Sequence, residues 1–110
     1  MTVQELCKAV GGSILAGANG TEHPVTGGYT CDLLSWIIGR AREGDCLITV
    51  MGNINAVAVA SLSDISCILL SEGAVLDHDA KTKADLLGLP VIGSDKTSFQ
   101  LSLLIGNLLS

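Results

Sequence analysis

The sequence is short of charge. Of its 110 residues six are basic and eleven acidic, 15% in all, against about a quarter in an ordinary globular domain. The net charge is −5 and the pI near 4.6. Lys8, Lys81, Lys83, Lys96, Arg40 and Arg42 are scattered along the chain. Nucleic-acid binding needs such cations clustered, so neither DNA nor RNA is an expected partner. Aromatic residues are scarcer still: Tyr29, Trp36 and Phe99 stand alone and make no platform for stacked bases. Only two histidines occur, His23 and His78. With so few candidate general bases, and no serine or cysteine in a nucleophile elbow, no catalytic residues are expected. The P-loop signature is missing, and Gly11-Gly12 to Gly17 lacks the spacing of a dinucleotide loop.

The four cysteines, Cys7, Cys31, Cys46 and Cys67, contain no CxxC pair. Metal and cluster sites draw paired ligands from one loop, so neither a metal nor another cofactor is expected. Cys46 and Cys67 lie in apolar runs, where cysteine behaves as a small hydrophobe. Asp77-His78-Asp79 has metal-like residues, but neighbours at a helix start point apart, and a surface cap is the expected role. Met1 to Glu5 carries neither the basic nor the apolar region of a signal peptide. The longest uncharged run, Cys46 to Ser63, is broken by Gly52, Asn53 and Asn55 and makes a poor membrane span. The expectation is a cytoplasmic protein with no membrane contact.

Apolar residues are abundant, at 48%. That excludes disorder, and the length suits one domain over residues 1–110. So apolar a chain has little polar material to cover itself, which hints at a buried protein–protein surface.

The pattern predicts the following elements. Thr2 and Glu5 form a capping box before a helix to Val10, with Val3, Leu6, Cys7 and Val10 on one face. Ser13–Ala16 is a short strand, and residues from Val25 to Cys31 are extended around Gly27-Gly28. Asp32 caps a helix over 33–42. Cys46–Val50 and Ser66–Leu70 are continuous apolar strands. Asn53 or Asn55 caps a helix over 56–62, which is apolar nearly all round and is expected to be buried. Asp77 or Asp79 caps a helix ending near Leu87, stopped by Gly88. Pro90–Gly93 is a last strand, and Thr97 with Gln100 opens a C-terminal helix to about Leu109. Continuous strands alternating with helices predict a three-layer α/β/α domain around a mainly parallel sheet.

Ligands of such sheets lie beyond the carboxyl ends of the strands. The loops there carry Gly52, Asn53, Asn55, Ser71, Gly73, Ser94 and Thr97. These are the candidate residues for a small anion or a nucleotide phosphate, and equally ordinary caps and turn formers. Gly27, Gly28, Tyr29 and Trp36 are the candidate interface residues. Two glycines beside a tyrosine allow close backbone approach, and tryptophan is enriched at interfaces. Trp36 is either core or interface; Phe99 is expected in the core.

Thr26-Gly27-Gly28-Tyr29, Asp32-Leu33-Leu34-Ser35, Gly44-Asp45, Ile48-Thr49, Asn55 to Ala60, Leu89-Pro90-Val91 and Ser98-Phe99 together resemble a DRTGG-domain protein. The likeness runs over nearly the whole chain and is nearest to the stand-alone members of anaerobic bacteria, whose genes often lie beside iron-only hydrogenase subunits. The domain is similar to the N-terminal domain of HPr kinase/phosphorylase. The resemblance implies that fold, no kinase activity, a regulatory or interaction role as a homodimer, and a redox-enzyme or signalling partner. The chain departs from the naming motif: Asn53-Ile54 replaces Asp-Arg, and Ser71-Glu72-Gly73 replaces Thr-Gly-Gly. The missing arginine removes a phosphate contact and Glu72 adds a repelling charge. An anion or nucleotide sensor, and a cysteine-ligated metal or iron–sulfur protein, stand as the alternatives.

Overall fold

A computed structural model describes residues 1–110. Five strands form one sheet: β1 (Ser13–Ala16), β2 (Gly27–Thr30), β3 (Asp45–Thr49), β4 (Cys67–Leu70) and β5 (Val91–Gly93). Their order is β1-β5-β4-β3-β2. β2 to β5 are parallel, and β1 closes the far edge antiparallel to β5, with a register shift between Ile14 and Ala16. The helices are α1 (Val3–Val10), α2 (Leu34–Arg40), α3 (Ile54–Leu62), α4 (His78–Leu87) and α5 (Ser98–Leu109), with a 3₁₀ turn over Ala18–Gly20.

Strand alternation sorts the core into two halves. Cys46 and Ile48 of β3, Cys67 and Leu69 of β4, and Ile92 of β5 face α1 and α5, meeting Val3, Leu6, Cys7, Val10, Leu101 and Ile105. Leu47, Ile68, Leu70 and Val91 face α2, α3 and α4, meeting Ile37, Val57, Ala60, Ala80 and Ala84. Both faces are covered, so β3 and β4 are buried at every position. The expected three-layer α/β/α domain is what forms. No helix is long and apolar enough to cross a membrane.

Both capping boxes form, Thr2 with Glu5 and Thr97 with Gln100. Asn53 caps α3, accepting from the Ala56 N–H at 2.9 Å, and Gly88 ends α4 in the left-handed region at φ 65°. Four expectations fail. Asp77 holds the α4 cap position, but its side chain makes no capping bond, and Asp79 accepts only from the adjacent Ala80 N–H. Asp32 does not cap α2: its carboxylate reaches β3 instead, accepting from Thr49 Oγ1 at 2.7 Å and the Val50 N–H at 2.9 Å. Leu33 holds the cap position, with no side-chain bond. α3 is not buried all round. It lies between α2 and α4, burying Ala56, Val57 and Ala60 and leaving Leu62 exposed. Phe99 is not core either. Leu101 and Ile105 take the inner face of α5, and Phe99 is 77% exposed.

Candidate functional site

The loops at the carboxyl edge separate into two groups. Ser71 and Ser98 share a hydrogen bond at 2.6 Å, and Ser71 is fully buried. The Gly73 N–H donates to the Ser94 carbonyl at 2.9 Å and the Glu72 N–H to the Lys96 carbonyl at 2.8 Å. Ser94 Oγ accepts from the Lys96 N–H at 3.1 Å, and Thr97 caps α5. Ser71, Gly73, Ser94 and Thr97 therefore sit together. Gly52, Asn53 and Asn55 do not join them. The Gly52 carbonyl accepts from the Asp77 N–H at 2.8 Å. A Cβ on Gly52 would strike the Val75 carbonyl, so the backbone passes too closely for any other residue. Asn53 is spent on its cap, and Asn55 is exposed on the first turn of α3.

Glu72 decides the character of this edge. It takes a left-handed φ of 62°, rare for a residue with a Cβ. Its carboxylate accepts the Ser98 N–H at 2.9 Å, the first residue of α5. The helix start is thus supplied with a negative group from within the chain. A cavity of about 290 Å³ nearby is lined by Gly11, Gly73, Ser94 and Asp95, among others, with Asp95 its one carboxylate. A run of hydroxyls continues along α5. Ser102 Oγ donates to the Ser98 carbonyl at 2.7 Å and meets Thr30 Oγ1 at 2.7 Å, tying α5 to the end of β2.

β2 is the open edge of the sheet, and the four candidate interface residues lie in or beside it. No backbone group of Gly27 to Thr30 bonds to anything outside β3. Its two faces differ. On the α2 face, Tyr29 packs with the core and lies beside Cys31 and Arg40. Burial first, then Cys31, pushes its phenol above the ordinary range. The Arg40 guanidinium stacks 3.8 Å from the centre of the Trp36 ring, which is 48% exposed. Arg40, Arg42, Glu43 and Asp45 border a polar cleft of about 490 Å³ floored by Thr26 to Tyr29. Asp45 is buried, and its Oδ2 accepts the Arg42 N–H at 2.8 Å. On the α5 face, Gly28 and Thr30 border a groove of about 400 Å³ with Ile48, Ile105, Gly106 and Leu109. Sequence reasoning singled out Gly27, Gly28, Tyr29 and Trp36 but missed Arg40 and Arg42. The signal was the i, i+4 spacing of Trp36 and Arg40, which places a cation over a ring on one helix face.

Three thiols are structural. Cys7, Cys46 and Cys67 are buried in one core cluster, with Cys46 and Cys67 paired across β3 and β4. The hydrogen bond with Cys67, then burial, holds the Cys46 thiol well above its ordinary range. Burial also raises that of Cys7. Raised thiols stay protonated and are poor nucleophiles and ligands. Cys31 is half-buried beside Leu33. No group of three His, Cys, Asp or Glu side chains is placed to hold a metal ion.

The DRTGG domain model matches residues 5–108. The chain belongs to the DRTGG-domain family. No curated protein sequence is significantly similar to it. Among solved structures it resembles the crystal structure of the CBS and DRTGG domains of the regulatory region of Clostridium perfringens pyrophosphatase, complexed with its activator diadenosine tetraphosphate. The TM-score is 0.76 at 15% identity, over 94% of this chain and 45% of the other. The chain thus spans less than half the length of that relative, and the likeness fixes the DRTGG fold. In this DRTGG domain Asn53, where the naming motif has Asp, is the α3 cap. Glu72, where it has Gly, closes the α5 start.

Proposed function

We propose that this DRTGG domain is a non-catalytic regulatory module of the cytoplasm that acts by protein contact and pairs with a second copy of itself. The observation that carries the reading is an uncovered apolar stripe on α5. Phe99 is 77% and Leu103 57% exposed, and Gly106 lies one turn further along with open space above its Cα. The i, i+4, i+7 spacing puts the three on one helix face. A self-complementary stripe centred on Leu103 suits a two-fold axis, with Gly106 letting the paired helices approach closely. The redox-enzyme or signalling protein that the family resemblance implies is the proposed heterologous partner. The nucleotide reading is supported less well, because Glu72 already occupies the α5 start.

Sedimentation velocity at micromolar concentration tests this. The wild type should run as a dimer and Leu103→Glu as a monomer with unchanged circular dichroism. A monomeric wild type would refute the self-pairing, and a dimeric Leu103→Glu would move it off α5.

A further inference from the structure

We propose that the open β2 edge receives an extended segment of a partner protein in which acidic side chains alternate with apolar ones. This rests on the interaction role argued above and names the partner's chemistry. Sheet edges are normally blunted by lysine, proline, bulges or a covering element. β1, the other edge, carries a register shift. β2 is short, at four residues, but has no lysine, proline, bulge or covering element: it is Gly-Gly-Tyr-Thr, in regular register with β3. Its outward backbone groups are unpaired donors and acceptors ready for another strand.

The two faces then specify the side chains. An added strand sends alternate residues to opposite faces. Those on the α2 side enter the cleft of Arg40 and Arg42, the only arginines in the chain. Neither is in an ion pair, since the sole salt bridge joins Lys81 and Asp85. Of the carboxylates at that cleft, Asp45 has its Oδ2 on the Arg42 N–H and its Oδ1 against Gly27, and Glu43 is exposed at the rim. Arg42 is therefore available to a carboxylate or other anionic side chain, and Arg40, stacked on Trp36 beside Tyr29, keeps in-plane N–H donors for one. Residues on the α5 side enter the groove, whose apolar part is Ile48, Ile105 and Leu109 between Thr30, Ser102 and Ser110, which suits a small apolar side chain such as Val. A second copy of β2 is a poor occupant. It offers only Gly, Gly, Tyr and Thr, with nothing for the arginines or the apolar groove.

The probe is a capped heptapeptide of alternating glutamate and valine, with a lysine-for-glutamate counterpart, titrated into the full ¹⁵N-labelled chain. The glutamate peptide should shift the amides of Gly27 to Cys31, together with Arg40, Arg42 and Ile105. The lysine peptide should bind at least about fivefold more weakly, the scale of two partly exposed ion pairs. In the Arg40→Glu, Arg42→Glu double variant the preference should reverse. Both residues are on the surface, so the fold is kept. Equal binding of the two peptides would overturn the proposal, as would shifts confined to other elements or no binding at all. β2 amides that shift on diluting the protein alone would also overturn it, by showing a second copy on the edge. Gly106 borders both surfaces, so the titration is repeated in Leu103→Glu: if that monomer also ignores the peptide the strand proposal fails, and a dimeric wild type still leaves the self-pairing intact.

Discussion

Glu72 sets two local energies against each other, and a three-residue replacement series separates them. The left-handed backbone at φ 62° costs a residue with a Cβ about 1–2 kcal/mol relative to glycine. The carboxylate repays part of this by accepting the Ser98 N–H at 2.9 Å. Such a cap is worth about 1 kcal/mol, and negative charge at a helix start about 0.3–1 kcal/mol more. Glu72→Ala keeps the backbone strain and loses the cap, so it should destabilise by about 1–2 kcal/mol. Glu72→Gly loses the same cap and releases the strain, though glycine's freer unfolded chain takes back about 0.4–1 kcal/mol. It should fall within about 1 kcal/mol of wild type and above the alanine variant. Glu72→Gln keeps the hydrogen bond and loses the charge, costing about 0.5 kcal/mol. Urea unfolding at equal m-values gives the order from the midpoints. If glycine is the more destabilising of the two, the strain released at this residue is smaller than glycine's cost in the unfolded chain. If alanine costs nothing, the bond to Ser98 is not holding α5.

Other substitutions probe the rest of the frame. Gly17→Ala should destabilise by at least ~2 kcal/mol in the same assay, because its φ is 68° and a Cβ would strike the Leu89 carbonyl. Leu69→Ala, at a fully buried position between α1 and α5, should cost about 2–5 kcal/mol. The bond to Lys81, then the Gly17 N–H, holds the Asp85 carboxyl below its ordinary value of 3.8. A lowered folded-state pKa stabilises above the unfolded value and is lost as pH falls through the folded one. The midpoint gap between wild type and Asp85→Asn should therefore be widest near neutrality and close in acid. In native protein only Cys31 should react promptly with a thiol reagent. Early loss of Cys46 or Cys67 would contradict their burial.

Much of this architecture was legible in the sequence because local signals agreed with global ones. The capping boxes at Thr2 and Thr97 and the stop at Gly88 depend on residues within a few positions of each other. The continuous runs at Cys46 and Ser66 report burial on both faces. The misreadings have long-range causes. Asp32 has the composition of a cap, but Thr49 and Val50, some 17 positions away, claim its carboxylate. Phe99 has the composition of core, yet Leu101 and Ile105 fix the inward face of α5. At the carboxyl edge, composition could nominate Ser71 and Asn53 but not show that one bonds to Ser98 and the other stays apart. The Arg40–Arg42 cleft exists only because β2 lies at the edge, and strand order is a property of the whole chain.

That strand order also bears on how the chain is made. Its first two strands end on opposite rims of the sheet, with β1 beside β5, the last of the five to be synthesised. Ser13 finds its partner in Gly93, 93 − 13 = 80 residues later. The α1 face of the core likewise waits for Leu101 and Ile105 of the final helix. Pairings this distant are slow to close and cannot begin until the second partner exists. A nascent chain stopped before β5 would lack Ile92, Leu101 and Ile105, leaving the α1 half of the core only partly covered. Completion of the sheet thus waits for residues 91–109, and deleting them should be far more damaging than their distance from β1 in sequence suggests.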